Sequence, residues 1–296
     1  MPEMRNIGAH GRPGGDAAPA ETWTGPFLVD AHVHIHSCFD LNAFLDAALA
    51  NFQGAAAKLG RRTAPAGWLL LTEQRDCHLF RHFHDNVDSN RSDRWAFSRT
   101  PEDCSVIARR CGNPAHELVI VAGRQVATRE RLEVLALGTC DEFPDGLGLK
   151  AALATVLESG ATAVLPWGFG KWWLARGRLI GDALATAEPG RVFVGDNGGR
   201  PGLIPRSVLF DVGAKRGIDD LPGSDPLPFQ SEEGRAGSVG SVLEGNIDGR
   251  RPVAGLKDLI RNPVARPVRY GRPETVRRFV VNQLRMKAYN RAAAEV

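Results

Sequence analysis

Residues 28–37 read LVDAHVHIHS and place three histidines at alternate positions behind an aspartate. Successive side chains of a β-strand point to opposite faces, so the strand carries a polar face of Asp30, His32, His34 and His36. A single histidine on a strand is more often a hydrogen-bonded packing residue, but neutral imidazole nitrogens in a row can hold a divalent metal. The pattern therefore predicts a present or ancestral metal site at the end of a buried strand.

A second group of histidines lies in the stretch HLFRHFHD. His78 and His82 are four residues apart, as on a helix face, whereas His82 and His84 are two apart, as on a strand. The surrounding residues 75–117 are mostly polar and predict a loop-rich insertion. We favour a substrate-covering role for this stretch over metal binding, because loops often carry binding residues.

The elements that would position these groups alternate between apolar runs and helical periodicity. Strand-like runs occupy residues 67–74, 116–128, 131–139, 161–168, 191–199 and 218–225, and helical patterns occupy residues 40–52, 148–160, 171–190 and 203–217. Asp40 is a plausible N-cap for the first of these helices. Alternation of strands with helices of this length predicts βα units and a mainly parallel sheet.

Polar residues gather where the strand-like runs end. The carboxyl edge of parallel strands is where α/β proteins build their sites. We therefore predict one cavity, and its expected members are His32, His34, Glu73, Gln125, Trp167, Asn197 and Asp225.

The order of motifs resembles the PHP family, named for polymerase and histidinol phosphatase. The resemblance runs from about Phe27 to Leu227 and is carried by DAHVH, LLLTEQ, VAGRQVATRERLEVLALG, LPWGFG and LPGSDPL. It implies an α/β fold with a distorted (β/α)7-type barrel of mainly parallel strands. It also implies hydrolysis of phosphate esters with two or three bound metals.

The chain departs from the family pattern at most metal-ligand positions. Glu73-Gln74 stands for Asp-His, Gln125 for Glu, Glu133 for His, Trp167-Gly168 for His-Pro, and Leu227 for the closing His. His32, His34 and Asp225 keep the family's residue types, and no histidine follows His116. The resemblance therefore implies a reduced set of His32, His34 and Asp225, holding one divalent ion of Zn, Mn or Fe.

With such a metal, either Glu73 or Glu133 is expected to act as general base. Residues near the strand ends are expected to bind an anionic small-molecule substrate, and these are Arg124, Gln125, Trp167, Lys171, Asn197 and Arg200. Structural ion pairs are an equal expectation for the two arginines. The resulting hypothesis is a metal-dependent, phosphoesterase-like hydrolase, and the alternative is a non-catalytic PHP-like protein that binds a ligand or partner through the same cavity.

The composition of the 296-residue chain indicates its redox compartment, its relation to membranes and its domain organisation. Its five cysteines lack a C-x-x-C pair, which predicts a reduced, cytoplasmic protein, and no stretch is long and apolar enough for a membrane span. Residues 1–25 predict a flexible tail, and residues 26–296 predict a single barrel domain.

The carboxyl-terminal segment is strongly basic. Residues 250–296 hold 12 Lys plus Arg against 3 Asp plus Glu. Such a segment could bind nucleic acid, an acidic partner or an anionic substrate. We expect instead a solvated amphipathic helix with an apolar stripe of Val276, Phe279, Val280 and Leu284, and no nucleic-acid partner. The sequence leaves the oligomeric state undetermined.

Overall fold

The computed structural model describes residues 22–61, 63, 65–87, 92, 94–113, 116–262, 264 and 266–294. The strands are β1 (Thr22–Thr24), β2 (Phe27–Val33), β3 (Gly67–Leu71), β4 (Trp95–Arg99), β5 (Ser105–Arg110), β6 (Glu117–Val121), β7 (Gly123–Ala127), β8 (Glu133–Leu137), β9 (Thr162–Pro166), β10 (Val192–Gly195), β11 (Gly240–Leu243), β12 (Asn246–Asp248) and β13 (Val268–Tyr270). The helices are α1 (Leu41–Lys58), α2 (Leu79–Asp85), α3 (Leu149–Glu158), α4 (Leu174–Thr186), α5 (Val208–Lys215), α6 (Pro252–Arg261) and α7 (Val276–Ala294). Most of the predicted tail, residues 1–21, lies outside the described residues.

The strands form two main sheets and a small one. A seven-stranded sheet has the order β13-β11-β2-β3-β6-β5-β4, and a four-stranded sheet has the order β10-β9-β8-β7. Of the ten strand pairings described, three are parallel, namely β2 with β3, β3 with β6, and β9 with β10. The predicted barrel of mainly parallel strands is therefore wrong, because the fold is mixed α/β and its described strands form no closed barrel.

Short connections explain two of the antiparallel pairs. Residues 128–132 join β7 to β8, and residues 111–116 join β5 to β6. A parallel crossover needs a dozen or more residues, so connections of this length favour hairpins. The segment that we predicted as a loop-rich insertion holds α2, β4 and β5, and its two strands extend the seven-stranded sheet.

The core has three layers of apolar contact. One cluster packs α1 and α2 on the seven-stranded sheet, and a second packs α3, α4 and α5 on the four-stranded sheet. A third cluster joins strands of both sheets with α6, so the two sheets share a buried interior. Asp40 caps α1 as predicted, since its side chain accepts a hydrogen bond of 2.8 Å from Ala43 N.

Irregular backbone connects the two sheets along one edge. The predicted last strand, residues 218–225, forms a bridge with β10 and otherwise runs as an extended segment beside β2. Leu221 N donates to Val194 O at 2.7 Å, Ala31 N to Pro222 O at 3.2 Å, and Asp225 N to His32 O at 2.8 Å. This segment therefore brings Asp225 against the end of β2.

Helix length and hydropathy also bear on membrane insertion. Within the described part of the chain, no helix combines the length and the apolar character that crossing a bilayer requires.

Candidate metal site and cavity

An irregularity in β2 decides which side chains face the interior. The pairing of β2 with β3 shifts register between Asp30 and Val33, so strict alternation ends there. The carboxylate of Asp30 accepts a hydrogen bond from Gly237 N at 2.7 Å, beside α1, and does not join the histidine side chains. The predicted polar face is therefore split, and His32 and His34 form the site without Asp30.

Three possible ligand atoms converge at the end of β2. The Nε2 atoms of His32 and His34 lie 3.1 Å apart. Asp225 Oδ1 lies 3.5 Å from His32 Nε2 and 3.7 Å from His34 Nε2. Among the residues described, this is the group of three or more His, Cys, Asp or Glu side chains that could hold a metal ion.

The spacing fits a small divalent cation. Tetrahedral zinc with bonds of about 2.0–2.1 Å keeps its ligand atoms about 3.3–3.4 Å apart, and the three measured separations of 3.1, 3.5 and 3.7 Å bracket that value. Two imidazoles and one carboxylate are ligands that Zn, Mn and Fe all accept. The residues present therefore fit one such ion.

The protonation states of His34 and Asp225 also suit metal binding. Burial, together with the neighbouring His32, lowers the pKa of His34 to about 3, so His34 is neutral near pH 7. Burial alone raises the pKa of Asp225, but electrostatic interactions with His32, His34 and Lys171 outweigh it and leave the pKa below its ordinary value. The site thus offers a neutral nitrogen and a carboxylate anion, which are the forms that bind metal.

Neighbouring polar groups fix the orientation of the ligands. Asn197 donates from Nδ2 to Asp225 Oδ2 at 2.7 Å, which leaves Oδ1 directed at the histidines. His34 has a side-chain hydrogen bond with Gln125. His36 is held differently, since its Nε2 contacts Pro226 O at 2.9 Å. Within the described residues the buried Nδ1 of His32 has no hydrogen-bond partner.

A cavity of about 350 Å³ opens beside the candidate ligands. Its walls carry charged, amide and aromatic side chains in similar measure. They include His34, His36, Gln74, Gln125, Glu133, Trp167, Phe169, Lys171, Asn197, Asp225, Glu232, Arg235, Phe279, Asn282, Gln283, Met286, Tyr289 and Asn290. The volume is within the range of small-molecule sites.

The strand ends supply one wall of this cavity. Glu133 begins β8, which runs antiparallel to β9, so it lies at the same edge as Trp167, which follows β9. Asn197 follows β10, and Gln125 lies in β7. Together with His34, Lys171 and Asp225, these predicted site residues are brought together by the fold.

Three predicted site residues are placed elsewhere. Glu73, Arg124 and Arg200 are absent from the lining of this cavity. His32, also predicted to line it, does not, but it stays in contact with His34 and Asp225. Glu73 Oε2 pairs with Arg124 at 3.4 Å, and Glu73 Oε1 accepts from Phe80 N at 2.7 Å. The side chains of Glu73 and Arg124 therefore hold α2 against β7.

Arg200 and the second histidine group also have structural partners. Arg200 contacts the buried Asp196 at 2.9 Å, as expected for a structural ion pair. His78 Nδ1 lies 3.0 Å from Arg124 Nη2, and His84 Nδ1 lies 3.1 Å from Asp85. The described contacts do not place His78, His82 or His84 at the candidate metal site.

Helix α7 forms the opposite wall, which the sequence analysis missed. Phe279, Asn282, Gln283, Met286 and Asn290 recur on one helical face and line the cavity. The predicted apolar stripe is largely exposed instead, with Leu284 64% accessible. In sequence, a helical face rich in amide side chains looks the same whether it lines a cavity or faces solvent. Only the three-dimensional contacts distinguish these two cases.

The buried carboxylate of Glu232 anchors α7 at this wall. Glu232 Oε1 accepts from Asn282 Nδ2 at 3.0 Å and from Arg278 Nη2 at 3.0 Å. Arg235, which also lines the cavity, donates to Ser224 O at 2.7 Å and pairs with Glu274. These contacts connect α7 with the segment that carries Asp225.

Asp30 supports that segment from the other side of β2. Its carboxylate accepts from Ser224 N at 2.8 Å and from Gly237 N at 2.7 Å. We expect Asp30→Ala to lower the free energy of unfolding by about 3 kcal/mol or more, because two buried N–H groups lose their acceptor. Urea unfolding measures this effect, with Asp40→Ala as the matched control, where loss of the α1 cap costs about 1 kcal/mol. Equal losses in the two variants would contradict the assigned role of Asp30.

Comparison with known proteins gives matches of structure alone. No protein-family model matches the chain, and no curated protein matches it in sequence. An endonuclease Q complex with a 27-mer duplex substrate bearing an abasic lesion gives a TM-score of 0.43 at 13% identity, covering 80% of this chain and 57% of that chain. The lesion-specific endonuclease PfuEndoQ from Pyrococcus furiosus gives 0.45 at 11% identity, covering 80% and 56%.

Those two neighbours correct one expectation. Both are endonucleases, and one is seen with a duplex substrate. This finding conflicts with our expectation of no nucleic-acid partner.

PsfC from Pseudomonas syringae PB-5123 matches over a larger share of its length. The TM-score is 0.52 at 14% identity, and the match covers 89% of this chain and 99% of the PsfC chain. At this identity the likeness concerns architecture only. The chain therefore shares the fold of PsfC.

Proposed function

We propose that this protein is a PHP-like metal-dependent hydrolase that cleaves an anionic phosphoester. The observation that carries the proposal is the convergence of His32 Nε2, His34 Nε2 and Asp225 Oδ1 within 3.7 Å of one another, at the wall of a 350 Å³ cavity. A cavity of this size accommodates a small phosphoester or the terminal nucleotide of a strand.

The charges of the cavity favour an anionic substrate. Three carboxylates, those of Glu133, Asp225 and Glu232, face two cations, Lys171 and Arg235. This gives a formal charge of about −1, and a divalent cation raises it to about +1. The loaded cavity therefore attracts one phosphate group, whereas the empty one repels it.

The proposed ion would be held by His32, His34 and Asp225. When bound, a divalent cation supplies Lewis acidity and lowers the pKa of water toward about 7. Of the two glutamates considered in the sequence, we assign the general base to Glu133, because it lines the cavity and Glu73 does not. Its carboxylate would take the proton of an attacking water.

Lys171 is assigned to the substrate phosphate. Its ammonium group pairs with Glu133 Oε1 and lies near enough to Asp225 to lower the pKa of that carboxylate. A phosphate oxygen in the cavity would share this cation with Glu133. Gln125, Trp167 and Asn197 line the same space and would position the remainder of the substrate.

The non-catalytic alternative is favoured by one observation. Lys171 and Glu133 are already paired with each other, which is also what a purely structural ion pair would show. In that case the cavity would bind an anion without cleaving it.

Metal-restored hydrolysis tests the proposal. Protein stripped with a chelator is given Zn²⁺, Mn²⁺ or Fe²⁺ and assayed with p-nitrophenyl phosphate, bis-p-nitrophenyl phosphate and a 5′-phosphorylated oligonucleotide. We expect turnover that depends on metal, and a fall in kcat of about 10²–10⁴ in Glu133→Gln, the usual contribution of a general base. Glu158→Gln, at an exposed position of α3, is the control and should keep full activity.

The outcomes separate the two functions. Metal content that persists in Glu133→Gln, together with lost turnover, supports the enzyme. A parent protein that binds metal and phosphate yet turns over no substrate supports the non-catalytic alternative.

A further inference from the structure

Two cysteines lie together at a second place where the sheets meet, away from the candidate metal site. Cys104 directly precedes β5 of the seven-stranded sheet, and Cys140 follows β8 of the four-stranded sheet. Both are free thiols, Cys104 half-buried and Cys140 exposed. Neither lines the 350 Å³ cavity.

Backbone hydrogen bonds hold the two segments against one strand end. Ala122 N donates to Cys104 O at 2.9 Å, and Gly138 N donates to Ala122 O at 2.9 Å. Cys140 Sγ contacts Asp103 O at 3.3 Å, one residue before Cys104. The thiols of Cys104 and Cys140 are close enough to shift each other's pKa.

The surroundings make the two thiols unequal. Interaction with the Cys140 thiol lowers the pKa of Cys104, and the nearby charge of Lys257 acts in the same direction. Interaction with the Cys104 thiol and partial burial raise the pKa of Cys140. Lys257 is fixed beside them by donating to Gly138 O at 2.9 Å and to Gly160 O at 3.0 Å.

We propose that Cys104 and Cys140 form a redox-active dithiol that a small-molecule disulfide converts into an intramolecular disulfide joining the two sheets. Cysteine pairs of reducing compartments that oxidise are usually transient or redox-sensing. The proposal is independent of the hydrolase assignment.

The reaction is a thiol–disulfide exchange in two steps. The Cys104 thiolate attacks one sulfur of oxidised glutathione, which breaks its S–S bond and releases one glutathione thiolate. Cys140 then loses its proton, and its thiolate attacks the Cys104 sulfur and releases the second glutathione. Two protein thiols are oxidised, and one disulfide is reduced to two thiols.

Mass spectrometry of the untagged full chain tests the proposal. Treatment with oxidised glutathione should remove two hydrogens from the intact mass, and peptide mapping should find a Cys104–Cys140 crosslink. The urea midpoint of the oxidised protein should rise, because the crosslink joins the two sheets covalently.

Single variants give each thiol a separate signature. Cys140→Ser should stop at one glutathione attached to Cys104, because the resolving thiol is absent. Cys104→Ser should react at least about tenfold more slowly at Cys140, which lacks the activated neighbour. Cys38→Ser and Cys111→Ser, at exposed cysteines, should form the same crosslink as the parent.

Two results would overturn the proposal. One is glutathione on Cys38 and Cys111 without any Cys104–Cys140 crosslink. The other is equal glutathionylation rates at Cys104 in Cys140→Ser and at Cys38 in the same protein.

Discussion

Replacement of Asp225 by Ala is expected to lower the affinity for Zn²⁺ and Mn²⁺ by more than about a hundredfold, beyond the 10–100-fold loss that removal of an outer hydrogen-bond partner causes. Asp225 supplies the oxygen of a three-atom group whose nitrogens are 3.5 and 3.7 Å away. Without it, only the two imidazoles remain, and no carboxylate charge offsets that of the ion. His34→Ala should have an effect of the same order. Isothermal titration of chelator-stripped protein measures both.

Matched controls separate metal binding from folding. His36→Ala removes the next histidine of the row, but His36 Nε2 is bound to Pro226 O, so its loss should change metal affinity only a few-fold. Asn197→Ala removes the group that orients Asp225 and should fall between these limits, with a loss of about 10–100-fold. Asp211→Ala, at an exposed position of α5, should leave affinity unchanged.

The order of metal affinities among these variants tests the proposed site. If His34→Ala and His36→Ala weaken metal binding equally, the ion is not held by the geometry of the structure. If the stripped parent protein binds neither metal, the His32–His34 contact of 3.1 Å is an ordinary hydrogen bond between two imidazoles, and the hydrolase proposal fails.

The histidine row illustrates what a sequence can predict. Alternation in β2 and the helical period of α1 are local properties, so the strand, the helix and the burial of Phe44 and Leu49 were all predictable. The register shift after Asp30 depends on the pairing of β2 with β3, which is a tertiary contact. The structure therefore brings His32 and His34 together, as the alternation indicates, and directs Asp30 away from them.

The wrong barrel prediction has a similar origin. Apolar runs predict strands but not their direction, and the family resemblance suggested parallel pairing. The five residues between β7 and β8 are too few for a parallel crossover, and this clue was available in the sequence. The contribution of α7 was not available, because nothing local shows that Asn282 meets a carboxylate fifty residues earlier in the chain.

Glu73 and Arg124 show why residue type alone misassigns a site. In a sequence, a buried carboxylate at a strand end looks like a catalytic base, and a nearby arginine looks like a phosphate ligand. In the structure, Glu73 and Arg124 form an ion pair with each other at 3.4 Å, and Arg124 also donates to Cys77 O. The role of such a side chain depends on its hydrogen-bond and ion-pair partners, which its position in the sequence does not reveal.

Gly223→Ala is expected to destabilise the protein by about 3 kcal/mol or more, at the upper end of the range for overpacked interiors. An added Cβ at Gly223 would lie 2.2 Å from His32 N and 2.7 Å from His32 Cα, which are backbone atoms that cannot rotate away. The segment must then move off β2, and the hydrogen bonds from Ala31 N to Pro222 O and from Asp225 N to His32 O are lost.

The same displacement would carry Asp225 away from the histidines, so stability and metal affinity should fall together in Gly223→Ala. Gly199→Ala is the matched control, because its Cβ would meet only Asn197 Oδ1 at 3.6 Å, an ordinary contact. That variant should stay within about 0.5 kcal/mol of the parent and bind metal normally. Urea unfolding and metal titration of the pair decide the matter. A Gly223→Ala protein as stable as Gly199→Ala would show that the segment does not press on β2, and a stable variant with weakened metal binding would show that Asp225 moves without the rest of its segment.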